Sequence, residues 1–137
     1  MGTINASLTI QSSDVLTSNV NITVRSSADA DSGTIIRGKV ADTTAGTTNA
    51  GVTVYKASDK QTLAYVYVRN MDQERENYMY LYASDASGDP TIVKIPGNEF
   101  AYFPVENTQT IKAYGTKTNQ LIEYAVFGQD DPANILS

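Results

Sequence analysis

Residues Leu63–Arg69 read LAYVYVR, and residues Tyr78–Ala83 read YMYLYA. β-branched and aromatic side chains favour a pleated, half-buried surface, so both stretches predict β-strands. Side chains two residues apart share one face of a strand. Both faces of both strands are apolar, whereas an antiparallel sheet with one solvated face needs only one apolar side. The N-terminal half of the chain or another subunit must therefore cover the second face.

Tyrosine suits a covered face of this kind, because its ring buries area while its hydroxyl can still reach water or a backbone carbonyl. A third apolar strand, Glu99–Val105, carries further rings at alternate positions. We expect part of these aromatic faces to lie in a protein–protein contact; ordinary packing within the chain is the alternative. The candidate interface residues are Tyr65, Tyr67, Tyr78, Tyr80, Tyr82, Phe100 and Tyr102.

The same two-residue alternation recurs along the rest of the chain, and no segment holds a 3.6-residue period. Further predicted strands are Leu8–Ile10, Val20–Arg25, Thr34–Val40, Gly51–Tyr55, Thr91–Ile95, Thr110–Tyr114 and Leu121–Phe127. Parallel pairs would need crossover helices, and the pattern contains none. The sequence therefore predicts an all-β fold, an antiparallel β-sandwich or jelly roll with about 8–10 strands and no substantial helix.

At 137 residues, the chain predicts a single domain, residues 1–137. Its aromatic residues, nine Tyr and three Phe, begin only at Tyr55. Because aromatic rings supply the largest blocks of buried area, we expect residues 55–127 to build the core. Residues 1–54 would then wrap on that core or on a neighbouring molecule. Within this scheme residues 1–20 form an N-terminal arm, Asp42–Ala50 forms a loop, and residues 128–137 form a C-terminal tail.

Proline and glycine residues mark one turn and one sheet edge. Thr91–Ile95 is expected to pair with Glu99–Val105 across Pro96-Gly97-Asn98. Proline at the second and glycine at the third position predict a type II turn. Pro104 falls within the second strand and cannot donate to a ladder. This strand is therefore predicted to lie at a sheet edge, or to end at the proline.

The composition argues against several classes of function. With no Cys and no His, the chain lacks a disulfide framework, a thiolate site and the most common general base. A net charge of −5 argues against binding to nucleic acid. No apolar run is long enough to cross a membrane. Asp29-x-Asp31-x-Gly33 lacks the later ligands of a calcium loop, and Asp72, Glu74 and Glu76 are interpreted as a solvated hairpin end. We therefore predict no catalytic residue, no cofactor and no metal site, and a protein that is not an enzyme.

Five segments together carry a family resemblance. They are Leu8–Asp14 (LTIQSSD), Tyr65–Asn70 (YVYVRN), Ile95-Pro96-Gly97, Phe100-x-Tyr102-Phe103-Pro104 and the closing Ile122–Phe127 (IEYAVF). In these the chain resembles small β-sandwich virion proteins of tailed bacteriophages, above all those of phages that infect cyanobacteria and other marine bacteria. The resemblance extends from about residue 6 to residue 127, and its motifs are structural.

The resemblance implies a non-enzymatic virion protein, made in the host cytoplasm and assembled on the particle surface. The expected role is a capsid decoration or cement protein that binds the major capsid protein or other virion proteins. A homo-oligomer, most simply a trimer, is also expected. A neck, tail or baseplate protein is the alternative within the same class. A carbohydrate-binding module is a third hypothesis, because exposed tyrosine rings can serve as platforms for sugars.

Overall fold

The computed structural model describes residues 2–14, 20–31, 33–40, 52–84, 90–117 and 119–131. Within these ranges all regular structure is β, and the prediction of an all-β fold without substantial helix is confirmed. The strands are β1 (Gly2–Ser12), β2 (Val20–Ala30), β3 (Ile36–Val40), β4 (Val52–Tyr55), β5 (Leu63–Asn70), β6 (Met79–Ala83), β7 (Thr91–Ile95), β8 (Phe100–Glu106), β9 (Ile111–Gly115) and β10 (Gln120–Phe127).

Eight of these strands form two antiparallel sheets that pack on each other as a sandwich. The front sheet has the order β3-β10-β5-β8, and the back sheet has the order β4-β9-β6-β7. Strands β1 and β2 form a separate two-stranded hairpin, called the N-terminal hairpin below. Every strand pair is antiparallel, as the lack of crossover helices predicted.

The core lies between the two sheets and follows the two-residue period of the strands. In β5, Ala64, Val66 and Val68 point inward and are fully buried, while the intervening tyrosines face outward. In β6, Met79 and Leu81 are likewise fully buried. Contributions from other strands complete the cluster, chiefly Val40, Val54, Ile95, Ile111, Ala113 and Ile122. The alternation predicted for the two central strands is therefore confirmed.

The predicted pairing of β7 with β8 is wrong. β7 pairs with β6 in the back sheet, and β8 pairs with β5 in the front sheet. The connection between them crosses from one layer to the other. Both strands direct their apolar side chains into the same core from opposite sides, with Ile95 in one layer and Phe103 in the other. A short connection allows a hairpin but does not require one. Here each strand pairs within its own layer and packs one face against the shared core.

The predicted type II turn is displaced by one residue. The amide of Glu99 donates to the carbonyl oxygen of Pro96 at 3.2 Å, so Pro96 is the first turn position. Asn98, at the third position, has the positive φ of 64°. Asparagine tolerates this conformation better than most residues with a side chain. Glycine is needed at position 97 for a different reason. Gly97 is buried, and it lies too close to the backbone of the loop that contains Glu74 to leave room for a Cβ atom.

Pro104 lies in an edge strand, as predicted, because β8 closes one side of the front sheet. Opposite Pro104 on β5 is Tyr65. At an edge, a missing backbone N–H need not interrupt a ladder on both sides.

The N-terminal half contributes more to the sandwich than expected. β3 and β4 are edge strands of the two sheets, and Val40 and Val54 belong to the core. The core is therefore not restricted to residues 55–127. The predicted arm at residues 1–20 contains β1, whose partner strand β2 extends the hairpin to Ala30. The predicted loop Asp42–Ala50 lies outside the described residues.

The described part of the predicted tail, Gly128–Asp131, is bonded to the sandwich. The amide of Gln61 donates to the carbonyl oxygen of Gln129 at 2.9 Å. The amide of Asp131 donates to the carbonyl oxygen of Asp59 at 3.0 Å. Lys60 forms an ion pair with Asp130 and is itself buried. The chain after β10 is thus fixed to the β4–β5 connection as far as Asp131.

Candidate docking surface

The N-terminal hairpin has one apolar face and one polar face. Its two strands pair without a register shift from Gly2 opposite Ala30 to Ser12 opposite Val20. Because strand side chains alternate, even-numbered residues share one face and odd-numbered residues share the other. The even face carries Ile4, Ala6, Leu8, Ile10, Ile22, Val24, Ala28 and Ala30, with Ser26 among them. The odd face carries Thr3, Asn5, Ser7, Thr9, Gln11, Asn21, Thr23, Arg25, Ser27 and Asp29.

The half of the even face nearest the sandwich is covered. Ala30 is buried, and Ile4, Ala6 and Ala28 are half-buried. The side chain of Ser26 lies beside the Tyr102 phenol on the outer face of the front sheet. The hydroxyl oxygen of that phenol is buried, and burial raises its pKa. The hairpin therefore meets the front sheet through its apolar face.

The base of the hairpin is fixed to the end of β10. The amide of Asp31 donates to the carbonyl oxygen of Gly128 at 3.1 Å, and the amide of Asp130 donates to Oδ2 of Asp31 at 2.7 Å. A Cβ atom on Gly33 would lie 2.6 Å from the ring of Phe127. These contacts set the direction in which the hairpin leaves the sandwich.

The half of the even face farthest from the sandwich is exposed to solvent. Leu8 opposite Val24 and Ile10 opposite Ile22 are between 45% and 54% exposed. We call these four residues the distal face. A two-stranded hairpin alone in water is marginally stable, and an apolar face needs a partner to contribute stability. The distal face therefore has the chemistry of a docking surface that the single chain leaves uncovered.

Four of the seven predicted interface residues lie on the outer face of the front sheet: Tyr65, Tyr67, Phe100 and Tyr102. The rings of Tyr65 and Tyr102 stack with centroids 6.3 Å apart. Tyr67 is half-buried, and its hydroxyl donates to Glu123. Phe100 is 61% exposed at the start of edge strand β8.

The other three predicted residues lie on the outer face of the back sheet, on the opposite side of the sandwich. Tyr78 and Tyr80 are half-buried there, and Tyr82 is fully buried within its own chain. The seven predicted residues therefore form two separate surfaces. Tyr82 has no exposed ring to offer a partner.

The back-sheet tyrosines stack on one another. The ring of Tyr114 lies 4.9 Å from that of Tyr80 and 5.7 Å from that of Tyr82, measured between centroids. The Lys94 ammonium lies 4.1 Å from the centroid of the Tyr78 ring. Sequence reasoning missed Tyr114 and Lys94, since only the register places both directly opposite Tyr80.

The acidic loop between β5 and β6 differs from the predicted solvated hairpin end. It joins the front sheet to the back sheet, and Asp72 within it is buried. Oδ2 of Asp72 lies 2.8 Å from Lys117 Nζ, and Oδ1 accepts hydrogen bonds from Asn77 Nδ2 and from the amide of Glu74, each at 3.0 Å. Hydrogen bonding to Lys117, then to Asn77, lowers the pKa of Asp72 to about 2. All of these contacts are structural.

The described ranges hold no group of three or more acidic side chains placed to bind a metal ion. No helix long and apolar enough to cross a membrane occurs in them either. Comparison of the chain with protein-family models, with curated proteins and with solved structures gives no match.

Proposed function

We propose that this chain is a non-enzymatic structural protein of a tailed-phage virion that decorates the capsid and stabilises contacts between capsomers. The proposal rests on two supports. One is the resemblance carried by the segments from Leu8–Asp14 to Ile122–Phe127. The other, and the observation that carries it, is a fixed hairpin whose apolar face is covered at one end and bare at the other.

The distal face supplies a driving force for docking. Each of its four side chains, Leu8, Ile10, Ile22 and Val24, is about half exposed. Completing the burial of such a side chain is worth about 1 kcal/mol, so the distal face offers about 4 kcal/mol to assembly. The hairpin is anchored through Asp31 to Gly128 and Asp130, so little of that gain is lost in ordering it.

The back-sheet tyrosines give little support to a carbohydrate-binding module. A sugar ring binds to an open aromatic face, yet the Tyr80 and Tyr114 rings stack on each other within 18° of parallel. Lys94 covers the face of Tyr78. The ring faces are therefore largely used within the chain, and virion assembly remains the preferred proposal.

Copy number in purified virions tests the proposal. Quantitative mass spectrometry should find this chain at hundreds of copies per particle, in a fixed ratio to the major capsid protein. Tens of copies would place it in the neck, tail or baseplate instead. Absence from the purified particle would overturn both roles.

A binding assay tests the surface. Purified chain added to shells that lack it should sediment with them. Ile10→Asp should abolish this, because it places a charge on the distal face. Thr9→Asp adds the same charge on the polar face of the same strand and should still bind. Equal binding by both variants would exclude the distal face as the docking surface.

A further inference from the structure

The outer face of the back sheet carries positive charge and no negative charge. Its four strands, β4, β6, β7 and β9, contain two lysines and no aspartate or glutamate. Lys94 is exposed on β7, and Lys112 is half-buried on β9. Lys94 lies opposite Tyr80 and Lys112 opposite Tyr82, so both lysines belong to the outer face. This is a cationic surface on a chain whose net charge is −5.

Neither of these lysines has a carboxylate partner within the described residues. In the same ranges four other cations form ion pairs: Arg37 with Glu123, Lys60 with Asp130, Arg75 with Glu99 and Lys117 with Asp72. All four pairs lie outside the strands of the back sheet. The positive charge of the back sheet therefore remains available to a partner.

Tyrosine side chains hold the Lys94 ammonium in place. Its Nζ lies 4.1 Å from the centroid of the Tyr78 ring and 5.9 Å from that of the Tyr80 ring. A cation is attracted to the negative face of an aromatic ring, so the side chain is oriented before any partner arrives. We call Tyr78, Tyr80, Lys94 and Lys112 the lysine–tyrosine face.

We propose that the lysine–tyrosine face binds an acidic segment of a partner protein, with one carboxylate on each lysine. An ammonium and a phenol hydroxyl can both donate hydrogen bonds to carboxylate oxygens. This commits the back sheet to a protein partner that presents negative charge, whereas the distal face takes an apolar one.

The positions of the two lysines define the spacing that the partner needs. They lie two strands apart across the sheet and two residues apart along it, so their Cα atoms are about 12 Å apart. An extended chain advances about 3.3 Å per residue, so two acidic residues four positions apart span this distance. Residues separated by an even number also share one face of an extended segment.

The chemistry of the face favours a protein segment over a sugar or a nucleic acid. The Tyr80 and Tyr114 rings stack on each other and Lys94 covers Tyr78, which leaves little open ring for a sugar or a base. A long polyanion would also be repelled by the rest of an acidic chain. Ile92 on β7, 46% exposed, offers an apolar contact that a protein side chain can bury.

The lysine–tyrosine face and the N-terminal hairpin lie on opposite sides of the sandwich. The hairpin meets the front sheet, whereas these lysines and tyrosines face outward from the back sheet. A protein that bridges two capsomers needs two separate binding surfaces, and these two faces would supply them. That use of the acidic contact rests on the proposed function, but recognition of the acidic segment itself does not.

Fluorescence anisotropy with labelled poly-L-glutamate as the probe tests the contact at low ionic strength. Lys94→Glu and Lys112→Glu should each raise the dissociation constant about tenfold, because each reverses a charge in the contact. Lys39→Glu is the matched control, since Lys39 is exposed on β3 of the front sheet and the net charge changes equally. It should stay within about twofold of the native chain. Circular dichroism confirms that each variant is folded.

Two results of this titration would overturn the proposal. One is a native chain that does not bind poly-L-glutamate. The other is a loss with Lys39→Glu as large as that with Lys94→Glu, since net charge alone would then govern binding. Hyaluronate, a carboxylate polysaccharide, and duplex DNA are titrated in the same way. Both should bind more weakly than poly-L-glutamate, and tighter binding of either would replace the protein partner with that class.

This inference and the virion role fail separately. A chain that binds poly-L-glutamate through Lys94 and Lys112 but is absent from virions would leave the acidic contact standing and remove the virion role. A chain that is present in virions at hundreds of copies but does not bind poly-L-glutamate would overturn the acidic contact alone.

Discussion

The hydroxyl of Tyr67 on β5 donates a hydrogen bond to Oε1 of Glu123 on β10 across 2.7 Å. Arg37 on β3 donates through Nε to the other carboxylate oxygen at 2.6 Å. One buried carboxylate thus links three adjacent strands on the outer face of the front sheet. The hydrogen bond with Tyr67, followed by that with Arg37, lowers the pKa of Glu123.

We expect Tyr67→Phe to lower the free energy of unfolding by about 1–2 kcal/mol at neutral pH, because it removes a hydrogen bond to a charged group. A carboxyl with a lowered pKa in the folded state stabilises the fold above its unfolded pKa and loses that contribution as the pH falls through its folded pKa. The difference between the variant and the native chain should therefore narrow in acid. Urea unfolding at several pH values measures it.

Tyr65→Phe is the matched control for that experiment. Tyr65 lies two residues earlier on the same face and stacks on Tyr102 through its ring. Its substitution keeps that ring contact and should change stability by less than about 0.5 kcal/mol. Equal effects of the two variants would contradict the role of the Tyr67–Glu123 hydrogen bond.

Asp72→Asn should destabilise the chain at pH 7 and become neutral near pH 2. The folded pKa of Asp72 is about 2, below its ordinary 3.8, so its stabilising effect is complete above about pH 4 and is lost between these values. The effect at pH 7 should be about 1 kcal/mol, because the partly exposed Lys117 is screened by solvent. Thermal unfolding across this pH range is the measurement, with Glu76→Gln in the same loop as an exposed control.

Gly97→Ala should destabilise the fold by about 2 kcal/mol or more, since overpacking against a rigid backbone costs this much. A Cβ at this position would overlap the carbonyl of Glu74 and lie 2.9 Å from that of Asp72. Gly38→Ala is the control, because nothing lies within 4 Å of the place that its new methyl group would take. The denaturant concentrations at the unfolding midpoints of the two variants are compared. If Gly97→Ala does not lower the midpoint, the loop that contains Glu74 can move away from the new methyl group.

Gln120→Leu should cost about 1–2 kcal/mol, because it removes hydrogen bonds to three buried acceptors, although each of them keeps one other donor. Nε2 of Gln120 donates to Asn70 Oδ1 at 3.1 Å and to the carbonyl oxygens of Asn77 and Tyr78 at 2.9 and 3.2 Å. Gln73→Leu makes the same change at an exposed position and should be close to neutral. If the two variants unfold at the same denaturant concentration, the buried polar cluster contributes nothing to stability.

The strands were predictable because their signal is local. Composition and alternation located β5 and β6 and separated the residues of their two faces, and Pro104 marked β8 as an edge strand. Strand pairing depends on which layer each strand joins, and no local pattern encodes that. For this reason the connection at Pro96 was predicted to be a hairpin although it crosses between the sheets.

The distal face was only partly predictable. The alternation of Ile22 and Val24 indicated a strand with one polar face, but β1 gave a weak signal because Gly2 and Ala6 are small. Its even positions become an apolar face only once they lie opposite β2. The buried contacts of Asn70 and Gln120 were missed for a related reason, since polar side chains in strands are usually exposed and the sequence does not show their partners.

The position of β10 has a consequence for how this protein is made. β10 is the last described strand in the chain, yet it lies inside the front sheet between β3 and β5. A ribosome that has released residues 1–119 has produced both neighbours but not the strand that joins them. Until Phe127 emerges, β3 lacks a partner and β5 is paired on one side only. The nascent chain must therefore keep these edges from aggregating, and this layer closes only after Phe127 has been synthesised.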